Sequence, residues 1–403
     1  MTHRVVAPAL AGVLLVAAVL AGGCSGDEYV APPPAARSEV ADPAAAAATV
    51  AALQAGLDDP AAAAELGSDD TASDLLAAIA RNVSALRLTD VTFAYVTETG
   101  TTAGDDAWDG LVGVTWRLAG FDRASARAEV PVSFADGGRT IAAIGADAAR
   151  LPLWLTGPVA VRRVPGAVVV AAGPAPDVGT LAQRARSAVA ATRPLLERGD
   201  GLVVEVPADT GQLHRALGAD PGTYDAIAAV TAPVDGSTAP LSPVHVFLNR
   251  AVYDALDPVA AQVVMTHEAV HAVTGAALTQ GAPLWLVEGF ADYVALRDVD
   301  LPVARTAAQV IRQVRRDGLP DRLPADSDFG PGASHLGTLY EAAWQVAVTL
   351  AERRGAGALF AFYRDVLDGE ALDVALRTHF DWTEADLTAA WRSRLAVLAG
   401  VPE

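Results

Sequence analysis

The sequence predicts an α+β fold in two successive units, on three observations. Residues 44–86 show helical periodicity, and residues 87–171 switch to alternating or β-branched runs punctuated by Gly and Asp. A long amphipathic helix opens near residue 176, and from there a small set of strands gives way to a mostly helical pattern. A chain of 403 residues has room for about two to three domains, each with its own core.

The chain opens MTHRVVAPALAGVLLVAAVLAGGCSGDEYV. Arg4 supplies a positive start, residues 5–23 are apolar, and the small residues Ala21, Gly22 and Gly23 lead into Cys24, the single cysteine. This is the layout of an export signal, and residues 1–24 resemble a bacterial lipoprotein signal with its lipobox. Leu20 lies four before the cysteine, where that family carries leucine three before. The resemblance implies that Cys24 is lipidated and anchors the protein on the extracytoplasmic face of the cell membrane. An uncleaved anchor, or plain secretion after Ala21, puts the rest of the chain on the same side. Residues 25–43, SGDEYVAPPPAARSEVADP, are Pro/Ala-rich without periodicity and read as a flexible tether. No later segment offers about 18 uninterrupted apolar residues. A lone cysteine rules out an intrachain disulfide. The net charge of −19 argues against nucleic acid as a partner and against a polybasic grip on anionic lipid.

The first unit is expected over residues 44–175. Two helical stretches, PAAAAATVAALQAGL and TASDLLAAIARNVSAL, come first, with a cap expected at Thr71 to Asp74. VTFAYVTE, LVGVTWRLAG, ARAEVPVSFA, TIAAIGA and GAVVVAA then read as about five antiparallel strands, and ADGG at 135–138 as a hairpin turn. The pattern looks like an NTF2-like domain, which implies a curved sheet wrapped on helices. The acidic loop GDDAWDG at 104–110 lacks the spacing of a calcium loop and reads as a solvated turn.

The second unit, residues 176–403, carries the chemistry. Its first helix is expected to run from 176 to Gly199. GLVVEVPA, AIAAVTAPV and SPVHVFLN follow as strands. In DPVAAQVVMTHEAVHAVTG, Asp257 is a natural N-cap, Pro258 suits the first helical position and Gly275 suits the C-terminal cap. A helix over 258–274 puts His267 and His271, four apart, on one face, where both can hold one metal ion. Neutral imidazole is a good zinc ligand. Glu268 points to the side, where a carboxylate can act as a base on a water instead of binding the metal. Seventeen residues beyond His271, APLWLVEGFADYVAL supplies Glu288, with Asp292 on the same helical face. Two His and one Glu form a catalytic zinc set. Asp292 can accept a hydrogen bond from the far nitrogen of His267 and fix its tautomer.

This pairing of H-E-x-x-H with a downstream E-G-F-A-D segment resembles the gluzincin, peptidase MA-like zinc metallopeptidases over about residues 176–395. The resemblance implies a mostly helical zincin-like metallopeptidase domain with a small sheet, one Zn²⁺ per chain, and a peptide or protein substrate bound in extended form along an edge strand. AIAAVTAPV is the candidate edge, with SPVHVFLN as its neighbour. Relatives stabilise the oxyanion with a Tyr or His beyond the glutamate, a role open here to Tyr340 or His335. Val287 stands where the aminopeptidase branch has Asn, and its G-x-M-E-N segment is absent from a chain whose methionines are Met1 and Met265. The expectation is therefore zinc-dependent endopeptidase chemistry. The alternative is a catalytically silent zinc scaffold or interaction lipoprotein of the cell envelope, for which an intact Glu268 has no use. A serine hydrolase would need a G-x-S-x-G elbow, which the chain lacks. His214, His245 and His379 have no partner at ligand spacing and read as structural.

Overall fold

The computed structural model describes residues 41–102, 107–174, 177–195, 201–329 and 335–402. The signal segment with Cys24, the tether up to residue 40, and residues 104–106 of the acidic loop lie outside the described residues. Three N-terminal helices come first: α1 (Pro43–Ala55), α2 (Pro60–Ala64) and α3 (Asp70–Leu86). Each is capped by an aspartate, Asp42, Asp59 or Asp69, whose carboxylate takes the free backbone N–H groups of the first turn. The cap of α3 lies at Asp69, upstream of the expected Thr71, because the Asp69 carboxylate reaches the Ala72 N–H at 2.8 Å.

Strands β1 (Leu88–Thr102), β2 (Trp108–Leu118), β3 (Ala126–Ala135) and β4 (Thr140–Ile144) form an antiparallel meander in that order. The expected turn joins β3 to β4, with Gly137 at φ 65°, a backbone state that favours glycine. Next come β5 (Val159–Val164), β6 (Ala167–Ala172), α4 (Val178–Thr192), β7 (Leu202–Val206), α5 (Thr210–Leu217), β8 (Ala229–Pro233) and β9 (Val244–Leu248). Their strands make a second sheet in the order β5-β6-β7-β9-β8.

GAVVVAA is thus no fifth strand of the first sheet. It is β6, buried at every position and parallel to β7. The division expected near residue 175 falls inside the β6–α4–β7 crossover. A strand covered on both faces reads as an unbroken apolar run, and periodicity alone does not say which sheet it joins. The helix expected to reach Gly199 stops at Thr192 and passes into a 3₁₀ turn, Arg193–Leu195. Pro194 has no N–H to continue it.

The chain continues with α6 (Arg250–Tyr253), α7 (Pro258–Thr274), α8 (Leu284–Leu296), α9 (Val303–Thr306), α10 (Ala308–Asp317), α11 (Leu336–Arg354), α12 (Ala356–Leu367), α13 (Leu372–Phe380) and α14 (Glu384–Ala399). Among the described residues no helix is long and apolar enough to cross a membrane.

The second sheet is the shared middle layer. Val168, Val170, Val203 and Phe247 join the core of the first sheet and α1–α3. The alternate residues Val169, Val204 and Val246 pack with Ala185 of α4 and with Met265 and Ala269 of α7. Val270, on another face of α7, joins the core of the C-terminal helices. The helix bearing the histidines is therefore wedged between two cores. On the first-sheet side, buried His245 of β9 bridges Glu205 of β7 (2.7 Å) and Asp122 of the β2–β3 loop (3.0 Å). Burial disfavours its charge, but the two carboxylates outweigh that and push its pKa up to about 9.

Two outcomes follow from this packing. A Cβ on Gly289 of α8 would stand 2.2 Å from the backbone oxygen of Ala343 in α11, so Gly289→Ala should cost roughly 1–3 kcal/mol or more in denaturant unfolding. A neutral variant would remove the claim that the two helices meet at their backbones. The His245 pKa is raised on folding, so its contribution is complete below the unfolded value near 6.5 and is lost as pH rises through about 9. Wild type should lose more stability than His245→Gln between pH 7 and pH 9.5, by up to roughly 3 kcal/mol. Parallel pH profiles would contradict this.

Candidate metal centre

Helix α7 forms where the sequence places it. The Asp257 carboxylate caps Val259 and Ala260, Pro258 opens the first turn, and Gly275 closes the end at φ 69°. Helix α8 lies across it and presents Glu288 and Asp292 to the same face. The three expected ligand atoms converge. His271 Nε2 is 3.0 Å from His267 Nε2, and Glu288 Oε2 is 3.2 Å from His267 Nε2 and 3.4 Å from His271 Nε2. Tetrahedral zinc with bonds of 2.0–2.1 Å has ligand–ligand edges of about 3.3 Å. Two ring nitrogens at 3.0 Å repel as lone pairs unless a proton or a cation lies between them. The donor set, its spacing and its chemistry all fit a divalent metal of the zinc type.

The surroundings orient these donors. His267 Nδ1 is 2.8 Å from Asp292 Oδ1, which leaves Nε2 to face the other ligands. Burial opposes a charge on His267, but Asp292 and Glu288 raise its pKa well above the ordinary range. Burial likewise opposes ionisation of Glu288, yet His271 and His267 hold its carboxyl well below the usual carboxylate range. In this electrostatic setting a cation is at home.

Glu268 stands beside the ligand triangle and is not part of it. Its Oε2 accepts a hydrogen bond of 2.6 Å from the Thr231 hydroxyl. Thr231 belongs to β8, the outer strand of the second sheet, paired antiparallel with β9. The strand expected to be the edge is the edge. Tyr340, in the first turns of α11, has its ring 6.1 Å from that of His267 and 5.9 Å from that of Phe329. Burial, then the charges of Glu288, Asp292 and Glu268, push the Tyr340 phenol up, so it keeps its proton and can donate. His267, Glu268, Glu288 and Tyr340 are all half-buried.

His335 is not brought here. It is exposed and lines a cavity of about 670 Å³ with Asp317 and Arg322. His214 receives the Tyr224 N–H (3.3 Å) and His379 pairs with Asp365 (2.7 Å), so neither joins the centre. Sequence reasoning missed Thr231 and Gly289. A hydroxyl in the strand read as the edge was the available signal for the first. A glycine inside an apolar helical run was the signal for the second.

No protein-family model matches the chain, and no curated protein matches it. Solved structures similar to it include a mutant of a two-domain M1 zinc metallopeptidase bound to L-arginine, at 14% identity and a TM-score of 0.34 over 78% of this chain. An M1 zinc metallopeptidase from Deinococcus radiodurans is similar at 15% identity and a TM-score of 0.34 over 77% of this chain. The chain spans about three fifths of their lengths, 61% and 63%. Likeness at that level assigns no chemistry.

Proposed function

We propose that this protein is a zinc-dependent metallopeptidase of the gluzincin type that cleaves internal peptide bonds. The observation that carries the reading is the convergence of His267 Nε2, His271 Nε2 and Glu288 Oε2 within 3.4 Å of one another, with Glu268 alongside and outside the set. His267, His271 and Glu288 would hold the ion. Zinc bound there supplies a Lewis acid that polarises a carbonyl and acidifies a water. Asp292 keeps His267 in the tautomer that ligates. Glu268 takes the proton of the attacking water as the new C–O bond forms, then delivers it to the amine as the C–N bond breaks. The protonated Tyr340 hydroxyl donates to the oxyanion. An extended substrate lies along the free edge of β8 and adds to it as a strand. Without a G-x-M-E-N segment to hold a free amino terminus, the scheme is endopeptidase-like. The N-terminal helices and the first sheet have no chemical step in it. The protein acts outside the cytoplasm, tethered to the cell membrane through lipid on Cys24.

Elemental analysis of the reconstituted protein should find one zinc per chain, strongly reduced in His271→Ala and in Glu288→Gln. Glu268→Gln should keep its zinc, because the amide replaces a base and not a ligand. Its cleavage of a peptide taken from a broad library should fall by at least about 100-fold. Full activity in Glu268→Gln would end the assigned mechanism. Bound zinc with no cleavage of any library peptide by wild type would favour the scaffold reading.

The tether has its own check. Cells fed a labelled fatty acid should label the wild-type protein and leave Cys24→Ser unlabelled. Label that survives the substitution would exclude the lipid anchor.

A further inference from the structure

The Thr231 hydroxyl contacts Glu268 twice, at 2.6 Å from Oε2 and 3.1 Å from the backbone oxygen. A hydroxyl has one proton to give. The shorter contact lies in the range of O–H···O⁻ bonds, about 2.5–2.7 Å, so the hydroxyl directs its proton at the carboxylate and the carbonyl contact is secondary. Among the described residues no other hydrogen bond reaches the Glu268 side chain. The donor is well anchored. Threonine is stiff at χ1, and Thr231 pairs with Val246 inside the β8–β9 ladder. We propose that Thr231 is the positioning residue for Glu268, holding Oε2 so that the other carboxylate oxygen faces the water it must deprotonate.

This rests on the metallopeptidase reading and deepens it. Glutamate has three rotatable side-chain bonds, and a half-buried carboxylate without an anchor samples several of them. Misplacing a catalytic group by about 1 Å can cost on the order of 100-fold in rate. Because β8 is also an edge strand of the sheet, a peptide adding to that strand docks on the element that aligns the base.

The test uses the zinc-loaded full chain with Thr231→Val, which keeps the shape and removes the hydroxyl, and Thr231→Ser, which restores the hydroxyl. In Thr231→Val, kcat for a peptide that wild type cleaves should fall about 10- to 100-fold. KM should stay within about twofold, and zinc content and Tm should not change. Thr231→Ser should return kcat to within about fivefold of wild type. Crystal structures give a readout independent of turnover: one Glu268 rotamer on the Thr231 hydroxyl in wild type, and a displaced or multiple rotamer in Thr231→Val. A Glu268 carboxylate that stays in place in Thr231→Val, or a wild-type kcat in that variant while Glu268→Gln is inactive, overturns this proposal and leaves the peptidase reading standing. No hydrolysis by wild type overturns both.

Discussion

Gly289 lets α8 lie on α11 with backbone against backbone. The space a Cβ would need is filled by the Ala343 carbonyl. That approach sets the distance between the face bearing Glu288 and Asp292 and the helix bearing Tyr340. Phe290, next in the chain, stacks on Tyr363 of α12 with ring centroids 3.7 Å apart, which ties the same turn into the C-terminal core. Glu288 and Tyr340 are thus set relative to each other by a contact between distant segments, not by anything local to their own residues.

The opposite wall is placed by the second sheet. Its two faces are both covered, one by the first sheet and the other by α4 and α7. Helix α7 has little freedom to shift against it, because Met265 and Ala269 are fully buried on that side and Val270 is buried in the C-terminal core. His267 and His271 are carried at a fixed height above the sheet. Thr231 and Glu268 join at β8, an edge strand of that sheet.

Charge makes this arrangement one that a cation would stabilise. Three carboxylates, Glu268, Glu288 and Asp292, surround two imidazoles in a half-buried setting. Partial burial makes an excess of like charge costly unless it is balanced. In the Asp122–His245–Glu205 bridge elsewhere in the protein, a proton on the histidine offsets part of the carboxylate charge. At the proposed centre a divalent ion can serve the same end with both ring nitrogens acting as ligands.

The local pieces of the site were legible in the sequence. Helical spacing put His267 and His271 on one face and Glu288 and Asp292 on another, and Asp257, Pro258 and Gly275 marked the ends of α7. Capping and side-chain periodicity are short-range effects that a window of residues contains in full. The edge strand was expected from the resemblance to zinc peptidases, not from its own residues, and it is an edge. The sheet to which GAVVVAA belongs was not legible, because a doubly buried run carries no face signal. Nor was the Thr231–Glu268 bond, or the need for glycine at 289, since both depend on residues 37 and 54 positions away in the chain. Sequence by itself determined which side chains this protein can offer to a metal and on which helices they ride. Tertiary structure alone decided that they meet at ligand distance, because the approach of α7, α8 and α11 is set by packing between segments far apart along the chain.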